Sequence, residues 1–268
     1  MNNYKMLITD IDDTLLNSDK IVSQANIDAL MKLQKSGVTL VLASGRPTFG
    51  ITPIARELQM DKYGGYILSY NGSNIIRCKD SKVLHEVSLT KEDVHKIYDF
   101  AVEHDLDILT YQEGTIISNR RSDYINVEVI LTKMTHMVAN NFKRIIDGPC
   151  VKVMLLGEPT YLREMEKIFK EKYLSFYNIA ISKPFFLEAI SKEANKGISM
   201  LKLAQILNID PKEILAIGDS FNDLEMLKLA GSSIAVENSH SEIKEIATHV
   251  GKSNDEDAIA HAIDKFVF

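Results

Sequence analysis

Short apolar runs alternate with amphipathic stretches over the N-terminal part of the chain, and this pattern predicts strands separated by helices. Residues 5–9 form an apolar run that ends abruptly in acidic residues, as expected of a buried strand. Ser23 can cap a helix over residues 24–36, and residues 38–43 predict a second strand, with Pro47 in the first turn of the next helix. Strands separated by helices pair in parallel through right-handed crossovers, so the predicted fold class is α/β.

The pattern changes between residues 82 and 184, where strand-like and helical segments are mixed, as in an α+β domain. Beyond residue 187 the alternation of helix and strand resumes and continues to a closing helix over residues 258–266. The simplest topology is one sheet domain built from both ends of the chain and interrupted by an inserted domain. We therefore predict a core domain over residues 1–81 and 187–268, with an inserted domain over residues 82–186.

Composition excludes several classes of protein. The 268 residues are 45% hydrophobic and 25% charged, which is ordinary for a globular chain and unlike a disordered, collagen-like or disulfide-stapled one. A net charge of −6 disfavours nucleic acid and membrane surfaces as partners, although a small anion in a locally positive pocket is still compatible. The two cysteines lack metal-site spacing, and no apolar run is long enough to span a membrane. A cytoplasmic protein is expected.

Two aspartates follow the first predicted strand. Asp10 and Asp12 are two residues apart, so on an extended chain their carboxylates point to the same side and can converge on one ligand. Open α/β sheets bind ligands beyond the carboxyl ends of their strands, which is where these residues lie. Because crowded carboxylates need a neutralising cation, the pair indicates Mg²⁺; the alternative is an acidic turn that only caps the next segment.

Three further segments carry candidate site residues. Ser44 and Gly45 end the second strand just before a helix start, a combination typical of anion sites but also common without a ligand. Asp219 follows a buried strand as the first aspartate does, which suggests a shared metal ion. Asp223, one helical turn later, can join that site or only favour the helix dipole. Lys196 begins a predicted helix; alone it is typical of a surface charge, but beside these carboxylates and a phosphate it would be their positive partner.

Taken in order along the chain, these segments resemble the motifs of the haloacid dehalogenase-like hydrolases, specifically the Cof-type sugar-phosphate phosphatases. The segments are Asp-x-Asp from Asp10, then Ser44, Lys196, and Gly-Asp-Ser-Phe-Asn-Asp from Gly218 to Asp223. The resemblance covers essentially the whole chain and includes the runs LASGR (Leu42–Arg46) and SYNGS (Ser69–Ser73). Each motif is modest alone, but four in this order at suitable distances are specific.

The resemblance implies a role for each matching residue. Asp10 would be the nucleophile and a Mg²⁺ ligand. Asp12 would protonate the leaving alcohol and then activate water, while its backbone carbonyl binds the metal. Asp219 would complete the protein ligands of the metal, and Asp223 would support the site from behind. The phosphoryl oxygens would be held by a larger set: the Ile11 amide, the Ser44 hydroxyl, the Gly45 amide, Lys196 and Asn222.

The same resemblance implies a fold and a reaction. The fold is a doubly wound parallel-sheet (Rossmann-like) core with an inserted α+β cap domain that would cover the site. The reaction is Mg²⁺-dependent hydrolysis of small phosphomonoesters, above all sugar phosphates, through an aspartyl-phosphate. A phosphomutase of the same superfamily and a non-catalytic phosphate- or sugar-phosphate-binding protein are the alternatives. Asp13 and Glu237 stand where the family often has glycine, which leaves the local backbone conformation, but not the chemistry, in question.

Substrate choice and assembly are less defined by the sequence. The expected partner is a small phosphorylated metabolite, with no nucleic acid or membrane, and either a monomer or a homodimer is compatible with the chain. Five residues of the inserted domain could contact a sugar or a second phosphate, although a solvated surface position accounts for each of them: Arg120, Arg121, Tyr124, Lys152 and Lys183. A helix-end charge and a hairpin turn account for Arg46 and Asn71, and none of these seven residues is assigned a role.

Overall fold

The structure of the protein is a computed structural model that describes residues 4–112 and 114–268. In this part of the chain the strands are β1 (Met6–Asp10), β2 (Thr39–Ala43), β3 (Tyr66–Ser69), β4 (Asn74–Arg77), β5 (Lys82–Glu86), β6 (Asp107–Gln112), β7 (Thr115–Ser118), β8 (Thr135–Val138), β9 (Val153–Leu156), β10 (Tyr177–Lys183), β11 (Phe186–Ser191), β12 (Ile214–Gly218), β13 (Ser232–Ala235) and β14 (His249–Val250).

The helices of the described residues lie between these strands and after the last of them. They are α1 (Gln24–Lys35), α2 (Thr48–Glu57), α3 (Met60–Tyr63), α4 (Lys91–Glu103), α5 (Asp123–Thr132), α6 (Phe142–Ile145), α7 (Pro159–Tyr173), α8 (Lys196–Leu207), α9 (Leu224–Leu229), α10 (Ser241–Ile246) and α11 (Ala258–Phe266). The predicted cap of α1 is confirmed, since the Ser23 side chain accepts a hydrogen bond from the Asn26 amide at 3.2 Å. Within the described residues, every helix is too short or too polar to cross a bilayer.

The chain forms two compact units. The core unit consists of the described residues up to Glu86 together with Asn195–Phe268, and the inserted unit is Val87–Ala194. The predicted boundaries after residues 81 and 186 therefore differ from those of the structure. β5 belongs to the core unit because it pairs with β4, and β11 belongs to the inserted unit because it pairs with β9 and β10. Hydrophobic pattern alone does not reveal which sheet a short strand joins.

The core unit contains a sheet of strand order β14-β13-β12-β1-β2-β3-β4-β5. The pairs from β14 to β3 are parallel, and only the β3–β4 and β4–β5 pairs are antiparallel. The fold class predicted from the sequence, an α/β doubly wound sheet, is confirmed. β1 lies at the centre between β2 and β12, so the segments that follow these three strands meet at one edge of the sheet.

Both faces of the core sheet are covered. Successive side chains of a strand point to opposite faces, and β1 follows this alternation. Leu7 packs in one cluster with Leu30 of α1 and Ile259 of α11. Ile8 packs in the other cluster, with Met200 of α8. Apolar packing on both sides therefore fixes the register of β1 and the position of its carboxyl end.

The inserted unit is an α+β structure with the strand order β10-β11-β9-β6-β7-β8, antiparallel except between β7 and β8. One face carries α4 and α7, whose Phe100 and Phe169 rings lie 4.8 Å apart between centroids. The expectation that Lys152 is a solvated surface group is wrong. Its side chain is buried and its Nζ lies 3.0 Å from Oε1 of Glu188, because a neighbouring strand supplies a carboxylate that the local sequence does not reveal.

The aromatic cluster of the inserted unit provides a test of this packing. Phe169 is fully buried, with its ring 5.0 Å from that of Tyr173, so Phe169→Ala should lower the free energy of unfolding by about 3–5 kcal/mol. Hydrogen exchange read by mass spectrometry should show lost protection in peptides of Val87–Ala194 while β1 stays protected. Phe176→Ala is the matched control, because that ring is 64% exposed. Equal losses of protection in the two variants would contradict the packing described.

Candidate active site

The centre of the site is Asp10, the last residue of β1. Its side chain is buried, and its neighbour Ala43 in the β1–β2 register is the last residue of β2. Asp219 follows β12, the parallel strand on the other side of β1. Because β12, β1 and β2 are neighbouring parallel strands, Asp10, Ser44 and Asp219 all lie at the carboxyl edge of the sheet.

Lys196 connects two buried carboxylates. It is the first residue of α8, whose N-terminus is capped by the Asn195 side chain. The Lys196 ammonium is completely buried, and its Nζ donates hydrogen bonds to Oδ1 of Asp10 at 2.5 Å and to Oδ1 of Asp223 at 2.7 Å. This lysine, an ordinary surface residue by composition alone, is the cation at the centre of the cluster.

The close approach of α8 to α9 depends on Gly197. A Cβ atom at this residue would lie 2.6 Å from the carbonyl carbon of Glu225, which is backbone and cannot move aside easily. Gly197 therefore allows α8 to pack against the start of α9 and holds Lys196 within reach of Asp223. The close approach of the two helices at Gly197 thus accounts both for their packing and for the ion pairs of Lys196.

Asp223 supports the loop in which it lies. It is fully buried, and its Oδ2 accepts hydrogen bonds from the backbone amides of Asp219 at 3.0 Å and Ser220 at 3.1 Å. The neighbouring Asp219 carboxylate accepts a hydrogen bond from the Thr14 hydroxyl at 2.8 Å. Thr14 was not singled out in the sequence, and its only signal there is a hydroxyl residue four positions after the first aspartate.

Three carboxylates share this small space. Oxygens of Asp10, Asp219 and Asp223 lie within 4.8 Å of one another, in an arrangement that could hold a metal ion. Burial raises the pKa of Asp10 well above its ordinary value despite Lys196, and the charges of Asp223 and Asp219 raise it further. Burial and the charge of Asp223 raise the pKa of Asp219 to about 6. Burial alone would lower the pKa of Lys196, but Asp10 and Asp223 outweigh it and raise that pKa.

The donor set fits a hard divalent cation. Three carboxylates lie together, and the one ammonium among them contacts only Asp10 and Asp223, so a further positive charge would be favourable here. Mg²⁺ prefers oxygen ligands and is commonly held by one or two carboxylates plus substrate phosphate. The residues present therefore fit the Mg²⁺ ion that the sequence suggested.

Asp12 does not join this carboxylate cluster. Its carboxylate accepts two hydrogen bonds from the Arg46 guanidinium, at 2.9 Å from Nε and 2.7 Å from Nη2, and its side chain is 44% exposed. The strand ends at Asp10, so the alternation that would aim Asp12 to the same side does not continue to it. Asp13 has a left-handed φ of 61°, a conformation for which glycine is favoured.

The remaining predicted contacts lie around the same edge. Ser44 follows β2 and is buried, and its hydroxyl accepts a hydrogen bond from the Arg46 amide at 3.1 Å. Ile11 is the first residue after β1 and is buried. Asn222 is exposed, and its Nδ2 donates to Oδ1 of Asn71 at 3.0 Å. Arg46 and Asn71, which received no role from the sequence, therefore both contact residues that did.

Removal of the buried Lys196 ammonium should destabilise the core unit. Lys196→Met would leave Asp10 and Asp223 buried without their partner, so we expect the free energy of unfolding to fall by about 3–5 kcal/mol in a urea titration with EDTA present. Lys228→Met is the matched control, because that lysine and its partner Glu225 are each 44% exposed; it should change stability by no more than ~0.5 kcal/mol. Indistinguishable titrations would contradict the central role of Lys196.

Known proteins resemble this chain over nearly its whole length. The sequence model of the haloacid dehalogenase-like hydrolases matches residues 7–263. "Putative phosphatase YxeH" of Bacillus subtilis (strain 168) is 32% identical over 98% of this chain and 98% of its own. "5-amino-6-(5-phospho-D-ribitylamino)uracil phosphatase YwtE" of the same organism is 27% identical over the same shares. The crystal structure of a haloacid dehalogenase-like hydrolase from Bacteroides thetaiotaomicron matches with a TM-score of 0.90 and 37% identity, covering 99% of this chain and 100% of that one. The chain belongs to the haloacid dehalogenase-like hydrolase family.

Proposed function

We propose that the protein is a Mg²⁺-dependent phosphatase that hydrolyses small phosphomonoesters through an aspartyl-phosphate on Asp10. The observation that carries this proposal is the buried Lys196 ammonium held between Asp10 and Asp223 at the carboxyl edge of the sheet. The names of the two Bacillus subtilis relatives, both phosphatases, support the same reaction class.

Asp10 is the nucleophile in this proposal. Its carboxylate attacks phosphorus, an O–P bond forms, and the ester P–O bond breaks. Lys196 donates to Oδ1 of Asp10, an oxygen that keeps a second lone pair for the metal ion, so Oδ2 is the atom that attacks. Because a carboxylate and a phosphate repel each other, the fixed ammonium of Lys196 stabilises the charge spread over the transferring group. A covalent intermediate divides one difficult hydrolysis into two easier displacements.

Asp12 moves the proton in both steps. It gives a proton to the leaving alkoxide, then takes one from the water that attacks the aspartyl-phosphate, after which phosphate leaves and Asp10 is restored. Its position on the exposed side of the site suits contact with the leaving group and with water. The bidentate pair with Arg46 holds the carboxylate in place between turnovers.

Donors from several segments would hold the phosphoryl oxygens. They are the amides of Ile11 and Gly45, the hydroxyl of Ser44, the ammonium of Lys196 and the carboxamide of Asn222. Ser44 and Gly45 precede α2, which begins at Thr48, so the positive end of this helix faces the same loop. The donors come from both sides of β1, so they can reach different oxygens of the phosphoryl group.

Asp10 and Asp219, with the backbone carbonyl of Asp12, would hold Mg²⁺, and Asp223 would support them from behind. When bound, the ion supplies the positive charge that offsets the repulsion between the carboxylates and the incoming phosphate. Asp223 suits a supporting role because both of its oxygens are already engaged, by Lys196 and by two backbone amides.

Sugar phosphates and sugar-alcohol phosphates are the substrate class we favour. The relative YwtE is named for a phosphate ester of a ribityl group, which is a sugar alcohol. Apart from Asp12, which meets only the leaving oxygen, the proposed contacts of the core unit involve the phosphoryl group and the metal, so they admit many leaving groups.

The proposal is tested by phosphate release from a panel of sugar phosphates, with p-nitrophenyl phosphate as a chromogenic substrate. We expect release by the wild type with Mg²⁺ but not with EDTA, and a loss on the order of 10³-fold or more for Asp10→Asn. Inactivity of folded, Mg²⁺-loaded protein toward the whole panel would refute the phosphatase proposal and favour a phosphomutase or a binding protein. Addition of a sugar bisphosphate would then distinguish these two.

Asp12→Asn tests the proton-transfer step separately. Nitrophenolate leaves without a proton, whereas hydrolysis of the aspartyl-phosphate still needs a base, so this variant should release a burst of about one nitrophenolate per protein before slow turnover. Its steady-state rate on sugar phosphates should fall by about 10²–10⁴-fold. Stopped-flow absorbance measures the burst, and Asp10→Asn should show none. Wild-type rates in Asp12→Asn would exclude the role assigned to Asp12.

A further inference from the structure

The turn between β3 and β4, residues Tyr70, Asn71 and Gly72, has an unusual backbone. All three residues have positive φ values, of 51°, 56° and 92°. An Asn-Gly pair adopts the left-handed region readily in hairpin turns, but a tyrosine does so rarely. A backbone of this kind persists only where its surroundings determine it, and it often marks a functional site.

The surroundings of this turn are segments of the candidate active site. The Tyr70 amide donates to the Arg46 carbonyl at 3.0 Å, and the Asn71 amide donates to the Ser44 carbonyl at 2.9 Å. These two bonds attach the turn to the loop that carries the proposed phosphate donors Ser44 and Gly45.

The other side of the turn contacts the segment that carries Lys196. The Ser199 hydroxyl donates to the Gly72 carbonyl at 2.6 Å. A Cβ atom on Gly72 would lie 2.7 Å from the carbonyl oxygen of Asn195, so only glycine allows this contact. The turn is therefore packed between the loop after β2 and the first turn of α8.

The Asn71 carboxamide reaches a third site segment. Its Oδ1 accepts the hydrogen bond from Nδ2 of Asn222 at 3.0 Å. The same oxygen would lie 3.2 Å from a Cβ atom on Gly45, so the carboxamide fills the space beside that glycine. Asn71 thus lies between Gly45 and Asn222, which are both proposed phosphate contacts.

We propose that Asn71 is a positioning residue that orients Asn222 toward the phosphoryl group. This inference rests on the proposed function. Phosphoryl oxygens only accept hydrogen bonds, so Asn222 must present its NH₂ group and not its carbonyl oxygen. The acceptor Oδ1 of Asn71 holds that NH₂ group through one hydrogen and leaves the second for a phosphoryl oxygen. The carboxamide of Asn222 is exposed, so this hydrogen bond fixes an orientation that packing does not.

The variant Asn71→Gly distinguishes the orientation of Asn222 by the Asn71 side chain from a role of Asn71 in the turn backbone. Glycine keeps the left-handed backbone at no steric cost and removes only the carboxamide. We expect kcat/KM to fall and the inhibition constant of inorganic phosphate to rise, each about tenfold, with an unchanged melting temperature. Asn222→Ala should have the same effects, and the double variant should be no worse than Asn222→Ala alone. Asn208→Gly is the matched control, with a φ of 54° at an exposed helix end, and should stay within twofold of wild type.

Wild-type phosphate inhibition in Asn71→Gly, with a raised constant in Asn222→Ala, would overturn the inference and leave Asn71 as a turn residue only. Effects that add in the double variant would also overturn it, because Asn71 would then act independently of Asn222. Calorimetric titration with inorganic phosphate measures the same effects without turnover. A wild type that binds phosphate but releases none from any ester would refute the proposed function while this binding comparison still decides the role of Asn71.

Discussion

The burial of one ammonium group between two carboxylates governs the arrangement of this active site. Taking Lys196, Asp10 and Asp223 out of water carries a desolvation penalty of about several kcal/mol per ion, which only close and well-directed contacts offset. The structure provides them through the contacts of Nζ at 2.5 and 2.7 Å and through the two amides that hold Asp223. The cap of α8 at Asn195 and the glycine after Lys196 follow from the same requirement, because they place the lysine at this depth.

The number of charges in this buried cluster bears on the proposed catalysis. One ammonium lies among the carboxylates of Asp10, Asp219 and Asp223. Burial is the main cause of the raised pKa of Asp10 and Asp219, and the charges of the neighbouring carboxylates add to it. A cluster with more carboxylates than ammonium groups attracts a divalent cation more strongly than a neutralised one. Lys196 offsets part of the cost of burying these carboxylates in the folded protein. The divalent cation would offset their repulsion of a bound phosphate.

Much of this site was predictable because it depends on the ends of parallel strands. Asp10, Ser44 and Asp219 each follow a short apolar run, and the α/β alternation places such ends at one edge. The direction of Asp12 was not predictable, since it depends on where β1 stops. A helix-end charge and a hairpin turn explain Arg46 and Asn71 locally, so the sequence assigns them no role. Their partners, Asp12 and Asn222, are 34 and 151 residues distant in sequence, and a local pattern carries no information about such pairs.

The same distances explain why the turn at Tyr70–Gly72 matters more than its length suggests. The site residues come from the end of β1, from the loops after β1, β2 and β12, and from the start of α8. Small errors in each loop would add where their side chains meet. The turn follows β3, which pairs with β2, and it contacts the loop after β2, the start of α8 and Asn222. The turn therefore connects the sheet to three separate segments, and the positive φ of Tyr70 is the local strain that accompanies this arrangement.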